Sequence, residues 1–204
     1  MNIFQIKTKP HGNERLNDFV QRELIAIGWP GIGDLNGISK EELRKRLENE
    51  YSYKNSRSLG NDLGNVWSFY NTMNDGDIVM FQGHVDNVYI VKVGPYKYVA
   101  KYDNTIGMAH QRDFELLKVM KKHELNPKVQ ELLRNRSSIT MFKYPIEEAE
   151  LDFINIDMPV QQDSNLYVDG ETMQRAMKIL KDGLNSSNEE IRFQAAVELL
   201  RYAK

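Results

Sequence analysis

Residues 77–102 mark the point where the sequence changes from helical spacing to closely spaced β-type segments, and this change constrains the fold most. Three segments rich in branched and aromatic residues, at 78–81, 88–93 and 96–102, follow one another with only short connections. Strands joined by such short turns pair with their neighbours in antiparallel fashion. The spacing therefore predicts an antiparallel meander that curls into a small β-barrel.

Helices and further strands are predicted on both sides of this meander. Apolar residues at three- and four-residue spacing predict helices, whereas alternation or a short apolar run predicts a strand. Ser39 and Glu42 form a capping box at the start of one helix. The expected strands are 3–6, 24–29, 112–120 (as a strand or a strand-helix junction) and 138–142, and the expected helices are 14–23, 40–50, 60–73 and 128–133. These elements predict an α+β domain over residues 1–146.

A change in charge separates the remainder of the chain from this domain. Residues 147–171 contain eight acidic side chains and no basic one, so residues 147–170 are predicted to be an acidic linker. Two amphipathic segments follow, interrupted at Gly183 and restarted by a capping box of Ser187 and Glu190. They predict a helical hairpin over 171–204, which we expect to dock on the first domain, on a second copy as a homodimer, or on a protein partner.

Composition excludes several classes of site and compartment. The chain has no cysteine, which excludes disulfides, thiolate zinc sites and cysteine nucleophiles. No stretch of about 18 apolar residues is present, and the first residues are polar with mixed charge. We therefore expect a cytoplasmic protein without a role in the membrane.

The charge distribution is compatible with nucleic acid but does not diagnose it. The net charge is −2 and the pI is near 6.1, which argues against a protein that coats phosphates non-specifically. The average conceals a difference between segments, because the acids of 147–171 outweigh a net charge of +4 on residues 1–146. The first domain by itself is mildly basic.

Five short motifs occur in an order that resembles a known family. They are the segment IAIGWPGIGDL at 25–35, VWSF at 66–69, MNDGDIV at 73–79, VGPYKY at 93–98 and HQR at 110–112. This order is similar to that of the EVE-like reader domains of the PUA superfamily, which occur at the N-termini of McrB-type and Mrr-type modification-dependent restriction proteins. The resemblance covers roughly residues 20–120 and implies a PUA/EVE-like antiparallel barrel with flanking helices.

The resemblance also implies a pocket for an extruded base, often methylated, that stacks between aromatic side chains. The residues available for the base are Trp29, Asp34, Asn61, Asn65, Trp67, Phe69, Tyr96 and Tyr98, and those available for a phosphate are His110 and Arg112. Several of these candidates have a structural alternative. Trp67, Phe69 and the two tyrosines are also typical of core positions, and Asp34 is typical of a turn.

Nothing in the sequence predicts catalysis, a cofactor or a metal. The four histidines, His11, His84, His110 and His123, lie far apart without a metal-ligand spacing. A Walker sequence, a convincing nuclease core and a nucleophile elbow are all missing from the sequence. We therefore expect a binding module that is not an enzyme.

Three hypotheses for function remain open from the sequence. The first is a reader of a modified base in nucleic acid, in bacterial or phage defence or counter-defence. The second is a phage or mobile-element protein that inhibits or adapts a host defence protein, with the acidic linker and the C-terminal helices as its contact surface. The third is a sensor of a free modified nucleotide, for which binding depends little on salt because few phosphates are contacted.

Overall fold

The computed structural model describes residues 1–153, 170–188, 192–193 and 195–196. The chain divides into two compact units, residues 1–155 and 156–204. In the second unit, α5 spans Gly170–Gly183 and matches the first predicted helix of the hairpin. The second predicted helix falls largely outside the described residues, as does most of the predicted acidic linker.

A single curled sheet of six strands forms the first unit, and it has the form of a half-barrel. Its order is β2-β5-β4-β3-β1-β6, so β2 and β6 are the two edge strands. The strands are β1 (Ile3–Ile6), β2 (Leu24–Ile27), β3 (Ile78–Gln82), β4 (Asn87–Tyr98), β5 (His110–Lys121) and β6 (Ile139–Met141). All neighbouring pairs are antiparallel except β1 and β3, which are parallel.

Four helices accompany the sheet, and side chains cap three of them. The helices are α1 (Leu16–Arg22), α2 (Lys40–Glu50), α3 (Ser56–Trp67) and α4 (Pro127–Leu133), and Ser68–Thr72 continues α3 as a π-helical turn. The side chains of Ser39, Asn55 and Asn126 accept hydrogen bonds from main-chain N–H groups in the first turns of α2, α3 and α4. Short 3-10 turns span Pro10–Gly12, Ala100–Tyr102, Lys122–Glu124 and Ile146–Ala149.

The predicted meander exists, but its third strand was assigned wrongly. Tyr96–Tyr98 continue β4 beyond an irregularity in register between Val93 and Tyr96, and β5 is the third strand. Gly94 and Pro95 suggested a turn, yet proline is tolerated inside a strand at a bulge. The prediction of a purely antiparallel sheet is also wrong, because β1 pairs in parallel with β3. The α+β class is confirmed.

Strands β1 and β3 lie between two hydrophobic cores, which explains their continuous apolar sequences. Because side chains alternate across a strand, Phe4 and Val79 face one core while Ile3 and Ile78 face the other. The larger core includes buried residues of α1, α2 and α3, and the smaller one includes buried residues of α4. Ala149 and Leu151 are buried in the smaller core, so the first unit extends past the predicted boundary at 146.

Asp77 joins the N-terminus to the turn that precedes β3. Its carboxylate is buried and accepts hydrogen bonds from the main-chain N–H of Asn2 at 2.7 Å and of Asn74 at 2.9 Å. The side-chain amide of Asn2 is a third donor, at 3.3 Å. The Gly-Asp motif of the sequence is therefore a structural element that fixes β1 beside β3.

Replacement of Asp77 by alanine is expected to lower the free energy of unfolding by about 2 kcal/mol, because these donors lose their acceptor in a buried place. Urea denaturation measures the change. Asp75→Ala is the matched control, since Asp75 is an exposed neighbour, and its effect should stay below about 0.5 kcal/mol. An equally small effect at Asp77 would contradict the structural role.

No helix in the described part of the chain is long and apolar enough to cross a lipid bilayer.

Candidate functional site

A cleft of about 210 Å³ lies between the segment that follows β1 and the end of β2. It occurs beside β2, one of the two edge strands of the half-barrel. The residues that line it are Ile6, Lys7, Lys9, Pro10, His11, Gly12, Ala26, Ile27, Gly28, Trp29, Tyr51 and Ser138. The walls therefore combine aromatic, basic and main-chain groups.

One edge of β2 borders this cleft. On its other side β2 pairs with β5, where the N–H of Phe114 donates to the carbonyl of Glu23. Because hydrogen-bonding residues alternate along an antiparallel pair, Ile25 and Ile27 direct their N–H and C=O groups to β5. Ala26 directs its N–H and C=O away from β5, and the residue is fully buried there.

Two residues that line the cleft have left-handed backbone conformations. His11 has φ 51° and Trp29 has φ 65°, in a region that costs energy for residues other than glycine. The two segments meet closely at Gly28, because a Cβ built there would lie 2.5 Å from the main-chain nitrogen of His11. This contact holds the two strained residues at the same opening.

The aromatic residues of the cleft are positioned by contacts with the rest of the fold. Trp29 is half-buried and packs against the larger core. The hydroxyl of Tyr51, directly after α2, donates to the carbonyl of Pro30 at 2.6 Å, and burial raises the pKa of Tyr51 well above its usual value. Arg46 donates to the carbonyls of Ile32 and Asp34 and so anchors the same loop.

The charged side chains that line the cleft are two lysines, Lys7 and Lys9, and none of the lining residues carries a carboxylate. The ammonium of Lys7 lies 3.5 Å from the carbonyl of Leu133, to which it donates. His11 adds an imidazole to the wall. Burial, together with the nearby charge of Lys122, lowers the pKa of Lys7 from its usual value. Lys9 lies 3.9 Å from Glu14, but both side chains are exposed and such a pair is weak. The cleft therefore favours an anionic or electron-rich ligand.

Several predicted pocket residues form a second cluster, around His110 at the start of β5. The hydroxyl of Tyr96 lies 2.8 Å from Nδ1 of His110, and the two rings are stacked. Tyr98 donates to Asp103 at 2.6 Å, and burial raises the pKa of Tyr98 to about 12. Phe69 is fully buried and packs edge-on against Tyr96.

His110 has no exposed surface, and its Nε2 atom is buried without a hydrogen-bond partner in the described structure. Burial lowers the pKa of His110 to about 4, although Asp103, the main chain of Trp29 and Asp34 oppose the shift. The imidazole is therefore neutral at pH 7. A buried neutral ring provides no positive charge for a phosphate.

Arg112 is 2% exposed and is surrounded by main-chain carbonyls. Its guanidinium donates to the carbonyls of Phe69, Tyr70, Met73 and Gly94, at 2.6–3.2 Å. Burial lowers its pKa, and the nearby carboxylates of Asp77 and Asp75 act in the opposite direction. This arrangement joins the end of α3 to β4 and gives Arg112 a structural role, with its donors turned away from solvent.

The other predicted pocket residues are dispersed. Asp34 is exposed and accepts from Asn36 in a turn, and Asn61 is exposed on α3. The side chain of Asn65 accepts from the N–H of Ile139 and so joins α3 to β6. Trp67 is half-buried against Tyr70. Of the eight residues predicted for the base pocket, only Trp29 lines the cleft.

The basic residues of the cleft and Tyr51 were not among the site residues predicted from the sequence. Lys7, Lys9 and His11 lie in the run Lys-Thr-Lys-Pro-His-Gly directly after a buried strand, a position where binding residues are often placed. That run could therefore have indicated a binding site from the sequence alone. Tyr51 carried no comparable signal, because only the packing of α2 brings it to the cleft.

Groups for metal chemistry do not assemble in the described residues. No group of three or more His, Cys, Asp or Glu side chains lies close enough there to hold a metal ion.

Comparison with known families gives one match. The model of a family described as a domain of unknown function, DUF8426, matches residues 4–142, which is more than half of the chain. This region includes the six-stranded sheet, the cleft and the His110 cluster. No curated protein and no solved structure shows significant similarity to the chain. The chain belongs to the DUF8426 family.

Proposed function

We propose that this protein is a non-enzymatic module that binds nucleic acid and accepts one extruded, modified base in the cleft beside Trp29. The single observation that carries the proposal is the combination of Trp29 and Tyr51 with two lysines, one histidine and no carboxylate around one opening. Aromatic faces stack on bases, and cations attract the phosphates that accompany them.

The size of the cleft supports a ligand as small as one base. Its volume of about 210 Å³ lies below the range of about 300–1,000 Å³ that is typical of pockets for drug-sized ligands. A methyl group on the base would contact apolar wall residues such as Ile6 and Ile27.

The resemblance to EVE-like readers agrees with this position of the cleft. The Ile-Gly-Trp part of the first motif contributes Ile27, Gly28 and Trp29 to its wall. A curled half-barrel is also compatible with a PUA-like barrel, which we propose as the fold type. The role in bacterial or phage defence or counter-defence rests on the resemblance alone.

The alternative of a protein partner bound through the acidic segment receives less support. Within the described part of that segment, Glu148 forms an ion pair with Lys128, and Ala149 and Leu151 are buried. This part of the segment is a component of the first unit and is less available to a partner than the sequence suggested.

Replacement of Trp29 by alanine is expected to weaken binding of a short DNA or RNA strand with a methylated base by about 10- to 100-fold, the effect of one lost stacking partner. Fluorescence anisotropy with labelled strands, with and without the modification, measures it. Trp67→Ala is the matched control, because Trp67 is half-buried and lies outside the cleft.

The control should bind as the wild type does, and thermal melting should establish that both variants are folded. Equal binding by Trp29→Ala and the wild type would overturn the assignment of the cleft. Failure of the wild type to bind any of the modified strands would reject the reader function.

A further inference from the structure

Two cations of the first unit are held together on one tyrosine, close to the cleft but outside it. The guanidinium carbon of Arg22, at the end of α1, lies 5.0 Å from the centre of the Tyr102 ring. The ammonium of Lys101 lies 4.8 Å from the same centre. Arg22 also donates to the Tyr102 hydroxyl at 3.0 Å. We call these three residues the Tyr102 cluster.

The Tyr102 cluster is suited to bind an anion. Two like charges repel, and here the electron-rich face and the hydroxyl of one tyrosine offset that repulsion. The hydrogen bond with Lys101, followed by the charges of Arg22 and Lys101, lowers the pKa of the tyrosine. Arg22 and Lys101 are both exposed, so a ligand can reach them.

One carboxylate reduces the charge of this surface without cancelling it. Asp18 lies 3.9 Å from Arg22 and 3.5 Å from Arg15, so a single negative charge is shared between two arginines. Together with Lys101, these groups keep an excess of positive charge. All of the ion pairs are partly exposed, so each is weak and can yield to a phosphate.

A continuous path connects the Tyr102 cluster to the cleft. Arg15 donates to the carbonyl of Ile106 at 3.2 Å, in the loop that follows Tyr102. The next residue, Gly107, packs against His11 so closely that an added Cβ would lie 2.4 Å from the Cβ of His11. His11 lines the cleft, so basic residues extend from the cleft along α1 to Tyr102.

We propose that the Tyr102 cluster binds the phosphodiester backbone of the strand whose base occupies the cleft, so that the ligand is a polynucleotide and not a free nucleotide. This inference rests on the proposed reader function and adds the surface that binds the backbone of the strand. Phosphate contacts position a nucleic acid and strengthen its binding without selecting its bases. The Tyr102 cluster therefore contributes affinity and salt dependence, while the cleft contributes preference for the modified base.

The test uses the double variant Arg22→Gln/Lys101→Gln. Its matched control is Arg44→Gln/Lys45→Gln, which removes the same charge from exposed positions on α2, a helix whose residues line neither the cleft nor the Tyr102 cluster. The probes are a short strand with one methylated base and the corresponding methylated mononucleotide. Affinity is measured at several salt concentrations.

We expect the double variant to bind the strand about tenfold more weakly than the control, with a salt slope reduced by about one to two units for the lost phosphate contacts. Its preference for methylated over unmethylated strand and its affinity for the mononucleotide should equal those of the control. Tyr102→Phe keeps the ring and removes the hydroxyl, so it should produce a smaller loss in the same direction.

The outcomes separate this inference from the function on which it rests. Equal strand affinity and salt slope for the double variant and its control overturn the inference, while weak binding by Trp29→Ala preserves the cleft assignment. Equal loss for the strand and the mononucleotide also overturns it, because the Tyr102 cluster would then act on the cleft itself. Absence of strand binding by the wild type rejects both.

Discussion

Replacement of Arg112 by methionine is expected to lower the free energy of unfolding by about 3–5 kcal/mol, because a buried hydrogen-bond network loses the guanidinium at its centre. The guanidinium satisfies the carbonyls of Phe69, Tyr70, Met73 and Gly94. Methionine fills a similar volume but donates nothing, so these carbonyls remain in a place that water does not reach. Urea denaturation, followed by far-UV circular dichroism, measures the change.

Arg46→Met provides the comparison for this prediction. Arg46 also donates to two main-chain carbonyls, but it is half-exposed and water can replace it. We expect a loss of about 1 kcal/mol there. If Arg112→Met is no more destabilising than Arg46→Met, the hydrogen bonds of Arg112 to the surrounding carbonyls do not stabilise the fold. Arg112 would then again be a candidate phosphate ligand.

Acidification is expected to destabilise the wild type more than the variant His110→Gln, by about 3 kcal/mol between pH 7 and pH 4. Burial lowers the pKa of His110 to about 4 in the folded state, against an ordinary value of 6.5. The unfolded chain therefore binds a proton between these values and the folded chain does not. The contribution of the neutral histidine is present above pH 6.5 and is lost as the pH falls toward 4.

Denaturation curves at a series of pH values measure this difference. The comparison between the two proteins removes the contribution of every titratable group other than His110, because both proteins contain the same groups. His123→Gln is the control, because His123 is exposed, and its stability should follow the wild type at every pH. Parallel curves for His110→Gln and the wild type would contradict the prediction, because they would mean that folding does not change the pKa of His110.

Local signals in the sequence predicted most of the elements correctly. The spacing of Leu43 and Leu47 and the cap at Ser39 identified α2 with its observed bounds. The parallel pairing of β1 with β3 had no such signal, because Ile3 and its partner Ile78 lie far apart in the chain. The continuous apolar run of β3 indicated burial on both faces, but it did not identify the neighbouring strand.

The candidate site was predicted less completely than the fold. Trp29 was predicted as a pocket residue because it lies at the end of a strand beside a glycine-containing loop, where pockets form, and it lines the cleft. His110 and Arg112 were assigned to a phosphate site from the resemblance alone, and both are buried. Their burial depends on groups from distant segments, such as the carbonyls of Phe69 and Gly94, and no local pattern reveals those contacts.

The position of the cleft beside an edge strand makes its lining separable from the pairing of the sheet. Its walls come largely from two loop segments, residues 7–12 and 28–29, and from an edge of β2 that makes no ladder with a neighbour. Substitutions in these segments alter the shape and charge of the opening without breaking a hydrogen bond between strands. Replacement of both segments together should therefore change the lining of the cleft while the six strands keep their pairing.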